Sequence, residues 1–161
     1  MTDSRQLYQE VILDHNRKPR NYGHLEHSTH GSEGLNPLCG DHIKVGLEVD
    51  EGQIRAVAFE GESCAICKAS ASMMTAAVKG RTVSDAELMV EAFRAMVTGS
   101  AGPVETGRLG RLTVFAGVKD LPSRVKCAVL PWHTLHAALH ARSETTTEGD
   151  ADPAGMPPGE P

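Results

Sequence analysis

Apolar and polar positions along the chain fall into two periods. Within Ser4–Asn16, apolar residues stand at 7, 8, 11 and 12, the spacing of one helical face. Pro19 ends that helix, because the residue before a proline, Lys18, is pushed out of the helical region. The stretch Pro19–Pro37 is loop-rich, with Gly23, Gly31 and Gly34. The period then changes. His42–Asp50 alternates apolar and polar residues, Asp50-Glu51-Gly52 is a turn signal, and Gln53–Glu60 alternates again. These stretches predict a β-hairpin with one buried face.

From about Ser63 an Ala/Ser/Met-rich run predicts a helix to Lys79, with Gly80 suited to its C-terminal cap. A second helix is expected over Thr82–Thr98, with Ser84–Glu87 as capping residues and an apolar stripe of Leu88, Val90, Phe93, Met96 and Val97. Gly99–Gly110 reads as a link and Arg111–Val118 as a short helix. The last helical run is Ser123–Arg142, where Pro131 predicts a kink or a break.

The chain has 161 residues, which suits one domain with its own core. No apolar run approaches the roughly 20 residues of a membrane helix. The N-terminal residues lack the pattern of a signal peptide, so the expectation is a cytoplasmic protein with reduced thiols. The formal charge of −5 is unevenly placed. Residues 143–161 hold Glu144, Glu148, Asp150, Asp152 and Glu160 and no Lys or Arg, leaving sixteen acidic and sixteen basic residues in the body. A neutral body gives no electrostatic case for nucleic acid. The Thr-, Gly- and Pro-rich tail has little to bury and is expected to be disordered, which sets the domain at residues 1–142.

Candidate chemistry centres on four cysteines, which in a reducing compartment point to metal or sulfur chemistry before disulfides. Cys64 sits where the second strand meets the helix from Ser63. Unsatisfied N–H groups of a first helical turn favour a thiolate there, making it a better nucleophile and metal ligand. Cys67 falls near the same face. In Cys39-Gly40-Asp41, an extended backbone would turn a thiol and a carboxylate to one side. Cys127 lies in the first turns of the last helix, beside Arg124 and Lys126. Tetrahedral zinc accepts thiolates and carboxylate oxygen, and three thiolates with Asp41 would complete its shell. By spacing alone this signal is moderate, because free cysteine is also common in apolar cores. Three loop histidines, His24, His27 and His30, are a weaker candidate.

Three separated motifs then carry a resemblance. They are Asn-Pro-Leu-Cys-Gly-Asp (36–41), Cys-Ala-Ile-x-x-Ala-Ser-Ala-Ser-Met-Met (64–74) and Arg-Val-Lys-Cys-Ala-x-Leu-Pro-Trp-His-Thr-Leu (124–135). With Leu-Tyr-Gln-Glu-Val-Ile-Leu-Asp-His (7–15) and Pro-Arg-Asn-Tyr-Gly (19–23), they resemble the SufU/IscU family of iron–sulfur cluster assembly proteins. Two features resemble the SufU branch: an extra helical segment at about Lys79–Gly102, and Lys126 where the IscU branch has histidine.

The resemblance implies an α+β fold, with a small, mainly antiparallel three-stranded sheet, helices on one face and a metal site at one end. It would place the third strand around Ser28–Leu35. It implies zinc held by Cys39, Asp41, Cys64 and Cys127, and a sulfurtransferase role in which persulfide sulfur is taken from a SufS-like cysteine desulfurase and passed to a downstream scaffold. A desulfurase histidine would take a vacated zinc position, with Cys39 the preferred released thiol and Arg124 and Lys126 available to an anionic persulfide. Cys67 has no counterpart among these ligands; it could compete with Asp41, act as a second acceptor, or be a buried spectator, the favoured reading. Two rivals are a scaffold carrying an iron–sulfur cluster and a non-catalytic adaptor whose zinc only ties helices to the hairpin.

Overall fold

The alternating stretches do form a hairpin. In the computed structural model, which describes residues 4–99, 108–141 and 144–147, strands β2 (Asp41–Asp50) and β3 (Gln53–Glu62) pair antiparallel, with Val45 opposite Phe59 and His42 opposite Glu62. Period-2 alternation turns Asp41, Ile43, Val45 and Leu47 inward, while His42 and Lys44 face out. The expected third strand is β1 (His30–Asn36), antiparallel to β2 with Asn36 opposite Asp41 and Gly34 opposite Ile43.

The sheet has four strands, not three. β4 (Glu144–Thr146) runs parallel to β1, giving the order β3-β2-β1-β4. Its three residues, Glu-Thr-Thr, carry no apolar alternation, and they open the stretch read from sequence as tail. Residues 148–161 of that stretch lie outside the described residues.

Helices cover the inward face. They are α1 (Ser4–Arg17), α2 (Ala65–Val78), α3 (Val83–Thr98) and α4 (Pro122–Leu139), with a 3-10 segment at Gly110–Asp120 in place of the expected short helix. α4 lies on β1 and β2, α2 packs against α4 and β3, α1 against α2, and α3 against α4. Ile43 and Leu47 of the sheet share one apolar cluster with Leu130, Trp132 and Leu135 of α4. Phe93 of α3 stacks on Trp132 with ring centres 4.7 Å apart. The link residues 100–107, which include the end of the inserted segment, lie outside the described residues.

Pro131 does not break α4, which continues to Leu139. Proline cannot donate to the carbonyl four residues back, that of Cys127. Burial holds the helix through this defect: Cys127, Ala128, Val129, Leu130, Pro131 and Trp132 are all buried. The Ser70 hydroxyl of α2 also donates to the Ala128 carbonyl at 2.6 Å, in the turn the proline disturbs. α1 and α2 are joined by short polar side chains. Ser72 accepts the Arg20 N–H at 2.8 Å and lies 2.6 Å from His15 Nδ1. His15 thus crosses to α2, and burial lowers its proton affinity.

Candidate metal centre

At one end of the sheet, three chain segments meet. The β1–β2 turn brings Asn36 and Asp41 together, the end of β3 leads into α2 at Cys64, and the first turns of α4 carry Cys127. The turn is closed by the N–H groups of Cys39 and Gly40 donating to the Asn36 carbonyl at 3.2 and 2.9 Å. Gly40 has φ +77°, a left-handed angle that favours glycine. Cys39 and Asp41 therefore converge through this turn, not through the extended backbone expected for Cys39–Asp41.

One ligand atom from each of Cys39, Asp41 and Cys127 lies within 4.8 Å of the others. Cys39 Sγ is 3.3 Å from Cys127 Sγ. Cys64 joins them through Asp41: its N–H donates to Oδ1 at 2.7 Å, and its Sγ lies 3.8 Å from Oδ2. Asp41 and Cys127 are buried, Cys64 is half-buried, and Cys39 is exposed beside Leu38, the most exposed large apolar side chain among the described residues.

Cys64 is the N-cap of α2, and its sulfur accepts the Cys67 N–H at 3.4 Å. Its thiol pKa is brought down to about 7, first by a hydrogen bond with Cys127 and then by the N–H groups of Cys67 and Ile66, against burial and the Asp41 charge. The same hydrogen bond, with burial and Cys39, raises Cys127. Of the two coupled thiols, Cys64 is thus the more acidic.

Cys67 is fully buried within the apolar core, and desolvation pushes its thiol well above the usual range. Neither its sulfur nor that of Cys64 belongs to the Cys39–Asp41–Cys127 group of ligand atoms within 4.8 Å of one another, but Cys64 contacts Asp41 directly. Arg124 is exposed and stands by Tyr8, whose hydroxyl is raised by burial and opposed by that guanidinium. Lys126, one residue before Cys127, is half-buried. His136 faces Glu87 at 3.5 Å and His24 pairs with Glu60 at 3.2 Å, and no histidine is part of the Cys39–Asp41–Cys127 group.

Sequence reasoning missed Asn36. It is fully buried, donates to Asp41 Oδ2 at 3.2 Å, and places Nδ2 3.7 Å from Cys127 Sγ. Its carbonyl oxygen accepts the Thr147 hydroxyl at 3.0 Å, tying the centre to the residue after β4. An asparagine directly before Pro37, ahead of two candidate ligands, was the available signal.

Residues 7–142 match the family model described as the NifU-like N terminal domain. The chain belongs to this family. It is 40% identical over 133 residues to the zinc-dependent sulfurtransferase SufU of Bacillus subtilis, covering 83% of this chain and 89% of that one. It is 38% identical over 136 residues to the iron–sulfur cluster assembly scaffold protein IscU of Streptococcus pyogenes serotype M1, covering 83% and 82%. A crystal structure described as that of a SUF-system scaffold protein, FiSufU from Fervidobacterium islandicum AW-1, superposes with a TM-score of 0.78 at 35% identity, covering 85% of this chain and 99% of that one. The expected membership of the SufU/IscU family, SufU type, is met. The inserted segment read as a SufU feature is helix α3 with the residues leading into it.

Proposed function

We propose that the protein is a zinc-dependent sulfur acceptor in iron–sulfur cluster assembly, taking persulfide sulfur from a cysteine desulfurase. The observation that carries this reading is the meeting of one exposed thiol, Cys39, with two less exposed thiols and a buried carboxylate. The donor set fits zinc. Thiolates about 2.3 Å from a tetrahedral centre stand about 3.7 Å apart, against 3.3 Å between the Cys39 and Cys127 sulfurs, and a thiolate and a carboxylate oxygen stand about 3.6 Å apart, against 3.8 Å between Cys64 Sγ and Asp41 Oδ2. Cys39, Asp41, Cys64 and Cys127 would hold the ion. When bound, zinc keeps its thiols deprotonated and fixes the loop, strand and helices to one another.

Cys39 is the acceptor in this reading because it alone combines exposure with a turn that no helix restrains. Its thiolate attacks the outer sulfur of the donor persulfide. A new S–S bond forms at Cys39, the bond between the two donor sulfurs breaks, and the donor cysteine leaves as thiolate. No outside oxidant or reductant is needed. Asp41, buried and held by Asn36 and the Cys64 N–H, stays in place while Cys39 moves. Arg124, exposed ahead of Cys127, offers positive charge to an incoming persulfide anion.

Two measurements on protein purified without oxygen test this. One is metal content with the visible spectrum; the other is transfer of label from sulfur-labelled cysteine through a SufS-like desulfurase. Stoichiometric zinc, no chromophore, and label lost in Cys39→Ser are expected. Iron with matching labile sulfide would replace this reading with a cluster scaffold, which the name of the streptococcal relative favours. Zinc without label transfer would leave only an adaptor.

A further inference from the structure

A second group of ligating side chains stands away from the cysteines, where α3 packs on α4. His136 and His140 lie one turn apart at the end of α4, so both rings leave the helix on the same side. Glu87, in the opening turns of α3, faces them. Its Oε1 is 2.9 Å from His140 Nε2 and 3.5 Å from His136 Nδ1, and the two rings stand 4.3 Å apart between centres. One ligand atom from each of the three residues lies within 4.8 Å of the others.

We propose that Glu87, His136 and His140 form a second metal site, for a divalent transition-metal ion of the zinc, cobalt or ferrous class. Two imidazole nitrogens and one carboxylate oxygen suit ions of that class, whereas calcium and magnesium favour all-oxygen shells and cuprous ion favours sulfur. Ligand atoms about 2.0–2.1 Å from a tetrahedral ion stand about 3.3 Å apart, close to the 2.9 Å and 3.5 Å found here.

His136 Nδ1 supplies an independent observation. The atom is buried and has no hydrogen-bond partner. At 3.5 Å the Glu87 oxygen does not satisfy it, and a buried polar atom left so is costly. A metal ion between that nitrogen and Glu87 would satisfy it. Burial and the neighbouring His140 also lower the proton affinity of His136, which keeps the imidazole in its ligating form. The other charges facing His136 are Arg94 and Glu91, which pair with each other at 3.2 Å.

The site is separate from the cysteine centre. His136 follows Cys127 by nine residues, about 13 Å along the helix axis, so one ion cannot use both sets. Glu87 and His140 are partly exposed, which leaves the remaining coordination positions open to water or a small anion.

The test starts from the full chain with zinc already in the cysteine centre, titrated with Co2+ by calorimetry and followed by visible absorption. Uptake of one further equivalent is expected, with the absorption of nitrogen and oxygen ligation and without the sulfur-to-cobalt charge transfer that exchange into the cysteine centre would give. Glu87→Gln and His140→Gln, both at partly exposed positions, should each weaken this uptake at least about tenfold, the lower end of what even indirect ligand supports contribute. Circular dichroism and retained zinc would show both variants folded. No further uptake by the parent protein, uptake that carries sulfur charge transfer, or uptake unchanged in both variants would each overturn the proposal.

Discussion

Asn36 and Asp41, opposed at the end of the β1–β2 hairpin, are held side chain to side chain at 3.2 Å with both residues buried. The asparagine fixes the carboxylate and, 3.7 Å from Cys127 Sγ, reaches a thiol as well. Removing the carboxamide should leave Asp41 with the Cys64 N–H as its remaining polar support among these contacts. Such supports typically change metal affinity 10–100-fold. Asn36→Ala should therefore weaken zinc binding by roughly 10–100-fold, read by competition with a chelating dye. Unchanged affinity in a folded variant would mean that Asn36 only fills space.

Gly34 sets how closely α4 approaches the sheet. A methyl group placed there would run into the Thr134 hydroxyl and stand 3.1 Å from a Leu130 methyl. Gly34→Ala should cost about 1–3 kcal/mol in denaturant unfolding, as overpacking does. The Thr134 hydroxyl already donates to Leu130 of its own helix, so it has no partner on the sheet to lose. Adding Thr134→Ala should recover a good part of the loss. A cycle with no coupling between the two substitutions would show that the strain lies elsewhere.

Those same positions explain why β1 was hard to see. Its inward residues are Ser32, Gly34 and Asn36, so the strand has no apolar alternation, and only the family resemblance placed it. The hairpin that follows was legible because its inward face is Ile43, Val45 and Leu47. β4 was invisible for a related reason: Glu-Thr-Thr is joined to β1 through its backbone. Of the kink or break expected at Pro131, the break does not occur. Local chemistry forbids one helical hydrogen bond, and burial of the whole turn outweighs it. At the metal centre the thiols and Asp41 were readable as residue types at structural junctions, yet Asn36 was not, because a buried amide leaves no periodic trace.

His133 gives the fold a pH dependence. Burial first, then the charges of Arg94 and His136, lowers its pKa to about 4 from an ordinary 6.5. The folded protein thus resists a proton that the unfolded chain accepts. Stability from this residue is fully present above about pH 6.5 and is lost as pH falls toward 4, where the loss levels off. The total is roughly 3 kcal/mol or somewhat less, given about 1.4 kcal/mol per pH unit. His15 shifts in the same direction through burial against Ser72. Unfolding by urea across this window, with zinc held saturating, should show the slope, and His133→Gln should flatten it. An equal slope in that variant would assign the acid sensitivity to other groups.

The 3.3 Å between Cys39 and Cys127 makes the metal-free protein prone to one particular oxidation. A disulfide needs its sulfurs about 2.05 Å apart, so little more than a small movement of the Cys39 turn is required. The exposed partner sits on a turn outside any helix, so no helix has to shift. Cys64 and Cys67 do not compete equally: Cys67 is fully buried and protonated, while Cys64 is engaged as the cap of α2. After chelation, a mild thiol oxidant such as diamide should remove two electrons and two protons and join Cys39 to Cys127. Peptide mapping should find that pair as the dominant linkage. Zinc-loaded protein should resist the same treatment, because all its ligating thiols are occupied. Cys39→Ser should leave the chelated protein largely without an internal disulfide. A dominant Cys64–Cys67 linkage would instead show that the start of α2 opens when the metal leaves, and that the Cys39 turn is the stiffer of the two elements.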